Sequence, residues 1–435
     1  MARLLTIGLL LFVAAFGGGS RAAPVSADIS FEALPDGDWR VTYDFSGLTS
    51  SVDLGPSLDG FRARDWRPTA GSAVSIVASR GRDVLRGPRP FAKAAFVVTP
   101  KAIDAARAYD PIAPMGADAA LIYTGHFIPW ANGRRAPSTL TVRAPPGRFA
   151  AAFGEAAPVL RDWSSPLGRP AYIYVGPQPP IASGGVLGAI DPATPDWLAR
   201  EAEIFAVEAF GALERAFAWA LPATPNFFLA FEPGGAPGRA AYAGDALPAQ
   251  FRMTLTGGAW GAPSDWARDL FRLGVAHEAA HLWQTAARPK VEGVPDWIHE
   301  GGANVLAADV MVSLGYWDAA KRAGRIVEAR AKCAHALPGR SLDEAAAAGD
   351  VDAIYACGEA LNAAASARHP DGGAGFWRDF IDRARADRGY DAETFFALAS
   401  VRGGSDFADA ARAFTKTEYK TVRDVLAALE ALDGR

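Results

Sequence analysis

The feature of this sequence that most constrains its fold is a change in hydrophobic period along the chain. From Asp28 to about Val175, short alternating segments such as WRVTYDF, AALIYTGHF and AYIYV are rich in β-branched and aromatic residues. Gly, Pro and Asp separate these segments at short intervals, which is typical of antiparallel sheets. Beyond Ser264 the chain reads as mostly helical to its end. Strands followed by helices predict an α+β protein.

The length of the chain predicts more than one domain, because 435 residues exceed what one ordinary core accommodates. We expect an N-terminal antiparallel β domain over residues 28–175. A linker is predicted over residues 176–195, where the sequence GPQPPIASGGVLGAIDPATP is rich in Pro and Gly. A second, mostly helical domain then occupies residues 196–435.

Local signals predict the elements that open the second domain. Thr194 followed by Pro195 is typical of a helix start, with threonine as the cap, and Pro222 ends that helix. The segment NFFLAF at residues 226–231 predicts a buried strand. Residues 239–258 predict a hairpin around FRMTLTGG.

The first 27 residues have the features of a cleavable export signal. Arg3 supplies a positive charge, an apolar stretch follows, and the small residues Val25-Ser26-Ala27 are a plausible cleavage site. The apolar stretch is short for a membrane span, although an uncleaved anchor is the alternative. We therefore expect a periplasmic or secreted protein without stable membrane insertion after cleavage.

Charge and cysteine content constrain the partners and the compartment. The net charge of −4 gives no reason to expect a nucleic-acid partner. The chain has two cysteines, Cys333 and Cys357, and an isolated pair in an exported protein predicts one disulfide. The alternative is a pair of buried thiols.

The segment VAHEAAHLWQ carries the first sign of chemistry. A helix starting at Ser264-Asp265 places His277 and His281 on one face, one turn apart, where both imidazoles can bind one zinc ion. Glu278 then lies beside the metal, where it can take a proton from a zinc-bound water and pass it to a leaving group. By itself this pattern also occurs by chance, in which case both histidines are satisfied core residues.

A third ligand is available further along the chain. Catalytic zinc needs three protein ligands and an open position. After the first helix the sequence VPDWIHEGGANVLA predicts a second one, starting near Pro295-Asp296, with Glu300 close to its first turn. Two successive helices can bring the Glu300 carboxylate onto the metal bound by the histidines. His299, its neighbour, is expected to form the wall of the site or lie on the surface.

These motifs resemble those of the gluzincin metallopeptidases of the aminopeptidase N and leukotriene hydrolase family. The HExxH motif at His277, eighteen intervening residues and then Glu300 within Trp-Ile-His-Glu-Gly-Gly-Ala are similar to the two family signatures. The segment IYACGEALNAA resembles the family's Tyr-x-x-Gly-Ala segment, which implies a transition-state tyrosine at Tyr355. The resemblance also implies a β domain before a thermolysin-like domain, and one Zn²⁺ per chain. Asn304, one turn after Glu300, is expected to orient a zinc-bound histidine.

The sequence departs from the family where the substrate's amine would bind. Family aminopeptidases carry Gly-x-Met-Glu-Asn before the zinc helix, and the glutamate of that motif binds the free ammonium group. Here the corresponding place reads FEPGGAPGRAAYAGD, which puts Gly238 and Arg239 at the predicted substrate-binding position. Glu232 or Asp245 is an alternative partner for the amine.

The leading hypothesis is therefore a zinc metallopeptidase that hydrolyses peptide bonds in peptides or proteins, in either exo- or endo-mode. One alternative is a zinc-binding protein that keeps the scaffold without catalysis. Another is a zinc hydrolase of a non-peptide amide or ester, because a fold does not fix a substrate. A different divalent metal in place of zinc is also compatible with these ligands.

Overall fold

The computed structural model describes residues 26–57, 59–101, 109–234, 238–286, 295–387 and 389–433. Residues 1–25, most of the predicted export signal, lie outside these ranges. Within the described ranges no helix is both long enough and apolar enough to cross a membrane. Nineteen strands and eleven α-helices are present there.

The strands all precede the long run of helices that ends the chain. They are β1 Ala27–Ala33, β2 Trp39–Pro56, β3 Arg67–Pro68, β4 Ser75–Ser79, β5 Arg82–Val98, β6 Ile112–Met115, β7 Ala119–Tyr123, β8 Trp130–Ala131, β9 Arg134–Arg135, β10 Ser138–Arg143, β11 Phe149–Ala152, β12 Glu155–Ala157, β13 Val159–Trp163, β14 Tyr172–Gly176, β15 Ile181–Ser183, β16 Val186–Ile190, β17 Asn226–Glu232, β18 Ala241–Leu247 and β19 Gln250–Thr256.

One short helix lies among the early strands and the other ten follow Pro195. They are α1 Phe61–Asp65, α2 Asp196–Phe217, α3 Asp265–Ala286, α4 Asp296–Ser313, α5 Ala319–Ala336, α6 Leu342–Ala347, α7 Val351–Ser366, α8 Gly372–Asp387, α9 Ala392–Gly403, α10 Ser405–Lys416 and α11 Val422–Ala431. The described chain is therefore α+β, with the β-rich part first, as the sequence predicts.

The strands before residue 177 form two sheets that pack face to face. The nine-stranded first sheet has the order β13-β10-β1-β2-β5-β3, with β4, β8 and β9 attached at its sides. Its pairs are antiparallel except for β1 with β10, which are parallel. The five-stranded second sheet has the order β12-β11-β14-β7-β6. The expected antiparallel β domain is thus present with one parallel pair, because β1 and β10 are far apart in sequence.

The second sheet is covered on both faces, which explains why β7 and β14 are almost continuously apolar. Side chains alternate across a strand, so Ile173 and Val175 of β14 join the core shared with the first sheet. Tyr172 and Tyr174 point the other way, into a separate core with residues of β16 and β17 such as Ala189 and Phe228. The second sheet therefore joins the β domain to the rest of the chain.

The third sheet corrects the predicted linker at residues 176–195. This sheet has the order β15-β16-β17-β19-β18, so both β15 and β16 come from the predicted linker. Residues 187–190 pair in parallel with residues 226–229 of β17. A strand in this segment is recognisable only from its distant partner, because its Pro and Gly content is typical of a loop. The predicted strand at 226–231 and the hairpin within 239–258 are present as β17 and as the β18–β19 pair.

Helix α2 differs in detail from its prediction. It begins at Asp196 after Pro195, and no side chain caps it. The hydroxyl of Thr194, predicted as the cap, is buried and has no hydrogen-bond partner among the described residues. The helix ends at Phe217, followed by Ala218 with a left-handed backbone (φ 60°), well before Pro222. The start of α3 follows the prediction, since Ser264 Oγ accepts a hydrogen bond from the Ala267 N–H at 3.1 Å.

Two glycines let α4 and α7 approach closely. A Cβ on Gly301 of α4 would lie 2.1 Å from the carbonyl carbon of Gly358 on α7. A Cβ on Gly358 would in turn lie 2.4 Å from the Trp297 carbonyl oxygen. Any larger residue at either position requires the helices to separate, because both contacts are with backbone. This contact sets the distance between Glu300, next to Gly301, and Tyr355, one turn before Gly358.

Cys333 of α5 and Cys357 of α7 form a disulfide, as the sequence predicts. Both side chains are buried, so the bond fastens two helices inside the helical core. It lies two residues from Tyr355.

Removing this disulfide is expected to lower the free energy of unfolding by about 3 kcal/mol, since the bond restricts the unfolded chain between two cysteines 24 positions apart. Denaturant unfolding of Cys333→Ala/Cys357→Ala beside wild type measures the change. Wild type under reducing conditions is the control, because reduction must lower stability in wild type alone. Equal stability of both proteins under oxidising conditions would contradict the prediction.

Candidate active site

The two histidines of the HEAAH segment lie side by side on α3. His277 and His281 are buried, with 3 % and 5 % of their surface exposed. Their Nε2 atoms are 3.0 Å apart. Positions four apart on a helix lie one turn apart on the same face, which accounts for the convergence.

Glu300 comes from α4 and completes the cluster. Its Oε2 lies 3.2 Å from His277 Nε2 and 3.3 Å from His281 Nε2. Across the described ranges, these three residues form the group of His, Cys, Asp or Glu side chains whose ligand atoms converge for a metal ion, all within 4.8 Å of one another. The sequence-predicted ligand set is therefore assembled in space.

The outer nitrogens of both imidazoles are held by amide side chains. His277 Nδ1 lies 2.9 Å from Asn304 Oδ1, and His281 Nδ1 lies 2.7 Å from Gln284 Oε1. A carbonyl oxygen only accepts, so each Nδ1 carries the proton and each Nε2 directs a lone pair into the cluster. Asn304 orients a histidine as the sequence predicts, whereas Gln284 is a residue that the sequence analysis missed.

This arrangement fits a zinc ion. Two imidazole Nε2 atoms and a carboxylate oxygen face one another at about 3 Å, which is unfavourable unless a proton or a metal cation lies between them. Histidine nitrogen and carboxylate oxygen are usual zinc ligands, and three protein ligands leave a position open for water or substrate. The amide partners on Nδ1 are the kind of support that metal-bound histidines receive.

The same neighbours shift the pKa values of the three ligands. Burial opposes a charge on all of them, and it lowers the pKa of His277. Burial would also lower the pKa of His281, but the Glu300 carboxylate raises it overall. The two imidazoles, in turn, hold the pKa of Glu300 well below its usual range despite burial.

Glu278 lies next to the cluster without being part of it. It is buried, and burial raises the pKa of its carboxyl to about 8. Strand β18 lies directly against it, because a Cβ on Gly244 would be 2.1 Å from Glu278 Oε1. Glycine at this position therefore leaves room for the carboxylate. A carboxyl group with a pKa near neutrality is suited to accept a proton and return it.

Tyr355 of α7 lies on the other side of His277. Its ring stacks on the His277 imidazole with centroids 5.7 Å apart, and 37 % of the residue is exposed in the cleft. Burial of the hydroxyl and the nearby Glu300 charge raise the pKa of Tyr355 above its usual value. The hydroxyl thus stays protonated and can donate a hydrogen bond into the site.

We expect Tyr355→Phe to lower kcat for a cleaved peptide by about 10²- to 10³-fold, the usual cost of losing one donor to a developing oxyanion. Zinc content and KM should change little, because the hydroxyl is no metal ligand. Steady-state kinetics with metal analysis tests this. Tyr316→Phe is the control. The Tyr316 hydroxyl donates a hydrogen bond of 2.6 Å to Glu208, and neither residue belongs to the ligand cluster. An unchanged kcat in Tyr355→Phe would remove the residue from the reaction.

A cavity of about 470 Å³ opens beside the cluster. Its lining includes Glu278, His281, Glu300, Tyr355 and other residues of α3, α4 and α7. Tyr355 and Val351 also line a second cavity of about 770 Å³ bounded by α5, so the two cavities lie next to each other. His299 belongs to the wall, as predicted, and its ring stacks on His281 at 4.2 Å.

The predicted substrate-binding residues are not brought to this cavity. Gly238 and Arg239 are exposed and precede β18. The strand beside Glu278 instead contributes Gly244, Asp245 and Ala246 to the lining. The register of the β18–β19 hairpin decides which residues of this segment face the metal cluster, and residue order alone does not give that register.

Comparison with known proteins supports the fold. The sequence matches no protein-family model and no curated protein. Among solved structures, an aminopeptidase N family protein from Idiomarina loihiensis is similar over 93 % of this chain and 78 % of its own, with 13 % identity and a TM-score of 0.67. An M1 zinc metallopeptidase from Deinococcus radiodurans is similar over 90 % of this chain and 92 % of its own, with 17 % identity and a TM-score of 0.51.

A two-domain M1 zinc metallopeptidase mutant bound to L-tryptophan is also similar, with 17 % identity and a TM-score of 0.52 over 90 % of this chain and 94 % of its own. The fold is thus that of the M1, aminopeptidase N-like zinc metallopeptidases: an N-terminal β domain followed by a mostly helical domain. At these identities the likeness establishes the fold alone.

Proposed function

We propose that this protein is a zinc metallopeptidase that binds one Zn²⁺ per chain and hydrolyses peptide bonds. The observation that carries the proposal is the convergence of His277 Nε2, His281 Nε2 and Glu300 Oε2 within 3.3 Å, with Glu278 and Tyr355 lining the adjacent cavity. A protein that only binds zinc needs neither of the last two residues in these positions. The M1-like fold is consistent with the same activity.

His277, His281 and Glu300 would hold the metal. When bound, zinc acts as a Lewis acid that polarises the scissile carbonyl and makes water a nucleophile near neutral pH. Asn304 and Gln284 fix the imidazole orientations through their hydrogen bonds to Nδ1.

Glu278 and Tyr355 would move the proton and stabilise the charge. Glu278 would accept a proton from the attacking water and then donate it to the leaving amine nitrogen. The Tyr355 O–H donates a hydrogen bond to the oxygen of the carbonyl as it becomes tetrahedral and negatively charged. Burial of Glu278 away from bulk water strengthens its electrostatic interactions.

The substrate is a peptide or protein segment in the cleft. The structurally similar zinc metallopeptidase mutant binds the amino acid L-tryptophan, which is compatible with a peptide substrate for this protein. In β18, Asp245 is the residue that could take the place of an amine-binding glutamate. Its carboxylate already accepts hydrogen bonds from the Tyr172 hydroxyl and the Arg252 guanidinium. Because these bonds already occupy the Asp245 carboxylate, we expect cleavage that does not depend on a free N-terminal ammonium group.

We propose export to the periplasm or the exterior. The support is the apolar, small-residue N-terminal segment together with the disulfide between Cys333 and Cys357, since disulfides persist in oxidising compartments. N-terminal sequencing of the protein recovered from its native compartment tests this, with a mature chain that begins near residue 28 as the expected result.

A peptide library with free and acetylated N-termini tests the function. The zinc-loaded wild type is expected to cleave both sets, with products identified by mass spectrometry. Cleavage restricted to free N-termini would assign an aminopeptidase. Cleavage of amide or ester probes without any peptide cleavage would assign a different hydrolase. No hydrolysis of any probe by the zinc-loaded protein would leave the non-catalytic zinc-binding alternative.

A further inference from the structure

Strand β18 lines the cleft but is supported by its own sheet on one side only. It is an edge strand of the third sheet, hydrogen-bonded to β19. It nevertheless lines the cavity through Gly244, Asp245 and Ala246, and it touches Glu278 at the position of Gly244. A small displacement of β18 therefore changes both the cavity wall and the space around the proposed general base.

The β domain holds β18 at this position through two tyrosines. The Tyr172 hydroxyl donates to Asp245 Oδ1, and the Tyr109 hydroxyl donates to the Ala246 carbonyl oxygen at 3.2 Å. Arg252 of β19 adds an ion pair, with Nη2 to Asp245 Oδ2 at 2.9 Å and Nη1 to Asp110 Oδ2 at 2.9 Å. Two consecutive residues of β18 are thus bonded to another domain. We call Tyr109 and Tyr172 the tyrosine clamp.

The clamp residues are themselves fixed. The buried Gln250 side chain bonds both backbone groups of Tyr172, accepting from its N–H at 2.7 Å and donating to its carbonyl at 2.9 Å. His126 is neutral, because burial lowers its pKa to about 3, and its Nε2 donates to the Tyr109 carbonyl. Arg62 donates to His126 Nδ1 at 3.0 Å.

Tyr109 also reaches the site directly, since it lines the same cavity as Glu278 and Glu300. Its ring packs against Tyr123, with centroids 4.5 Å apart, and so is held by the second sheet. A residue of the β domain therefore forms part of the cleft wall.

We infer that the tyrosine clamp positions the edge strand β18 for substrate binding, so that the N-terminal β domain is part of the peptidase site. The inference rests on the proposed function of the zinc cluster. It assigns Tyr172 and Tyr109 as positioning residues, because they act through Asp245 and Ala246.

Tyr172→Phe tests the clamp, since it keeps the ring and removes the hydroxyl. KM for a cleaved peptide is expected to rise about tenfold, which is the scale of losing one hydrogen bond. Zinc content should stay at that of wild type. A purely structural defect would lower the active fraction and hence kcat, and it would leave KM unchanged.

Tyr43→Phe is the matched control. Tyr43 is also a buried tyrosine of the β domain, and its hydroxyl has no hydrogen-bond partner among the described residues. It lies in the core between the first two sheets, away from β18. Its KM is expected to equal that of wild type.

Hydrogen exchange of residues 241–247 gives a readout that does not need activity. Exchange in this segment should be faster in Tyr172→Phe than in wild type and Tyr43→Phe, because the strand loses a tether. Unchanged exchange, or faster exchange with an unchanged KM, would overturn the inference. If the wild type cleaves no peptide, the proposed function fails, and the exchange comparison alone still decides whether the clamp holds β18.

Discussion

Glu278→Gln is expected to lower kcat for a cleaved peptide by about 10²- to 10⁴-fold, the range that general acid–base catalysis supplies. Glutamine has the same shape and fits beside Gly244, but it can neither accept the proton of the attacking water nor donate one to the leaving amine. Glu278 contributes no atom to the ligand cluster, so zinc should remain bound at about one ion per chain. The variant therefore distinguishes a loss of proton transfer from a loss of zinc binding.

Kinetics at saturating peptide with zinc analysis of the same sample measures both quantities for Glu278→Gln. Glu208→Gln is the matched control, since Glu208 accepts a hydrogen bond from Tyr316 far from the cluster, and its kcat should equal that of wild type. A Glu278→Gln enzyme with full activity would exclude Glu278 as the base. If Glu278→Gln bound no zinc, its inactivity would follow from the missing metal and would not show that Glu278 transfers a proton.

His281→Ala is expected to lose zinc and all zinc-dependent hydrolysis. The variant keeps only two ligands, His277 and Glu300, whereas a catalytic zinc site has three protein ligands. Loss of an outer-shell partner typically weakens metal binding by about 10- to 100-fold, so loss of a ligand should exceed about 100-fold. Gln284→Leu provides the intermediate case, because it removes the hydrogen bond to His281 Nδ1 and keeps all three ligands.

Zinc titration against a competing chelator gives the dissociation constants for this series. His335→Ala is the control, because His335 is an exposed histidine on α5 outside the cluster, and its affinity should match wild type. The expected order of affinity is wild type equal to His335→Ala, then Gln284→Leu, then His281→Ala. Wild-type affinity in His281→Ala would mean that the metal binds elsewhere.

The metal cluster could be predicted from the sequence because its geometry is mostly local. His277 and His281 need only a continuous helix to share one face, and the Ser264 start signal indicates that helix. Glu300 required one further inference, that a second helix returns to the first, and the start of α4 after Pro295 supports it. Residues whose positions follow from helical spacing are those that a single sequence specifies best.

The parts that could not be predicted depend on contacts between distant segments. Strand β16 pairs with β17 far along the chain, and nothing in VLGAI distinguishes it from the loop around it. Gly244, Asp245 and Ala246 line the cavity and Gly238 and Arg239 do not, because the register of the β18–β19 hairpin follows from strand pairing and not from residue order. The Tyr172–Asp245 bond joins residues 73 positions apart, so no local pattern indicates it. The role of Gln284 could have been predicted, since a glutamine three residues after a predicted zinc-binding histidine in a buried helix is placed to bond that histidine.

The most direct test of the account measures peptide hydrolysis as a function of zinc bound per chain. Metal-free protein is loaded stepwise, and the initial rate of cleavage is recorded at each measured occupancy. The account predicts a rate that rises in proportion to bound zinc and reaches its plateau at about one ion per chain. A rate that does not depend on bound zinc, or no hydrolysis at full occupancy, would contradict it.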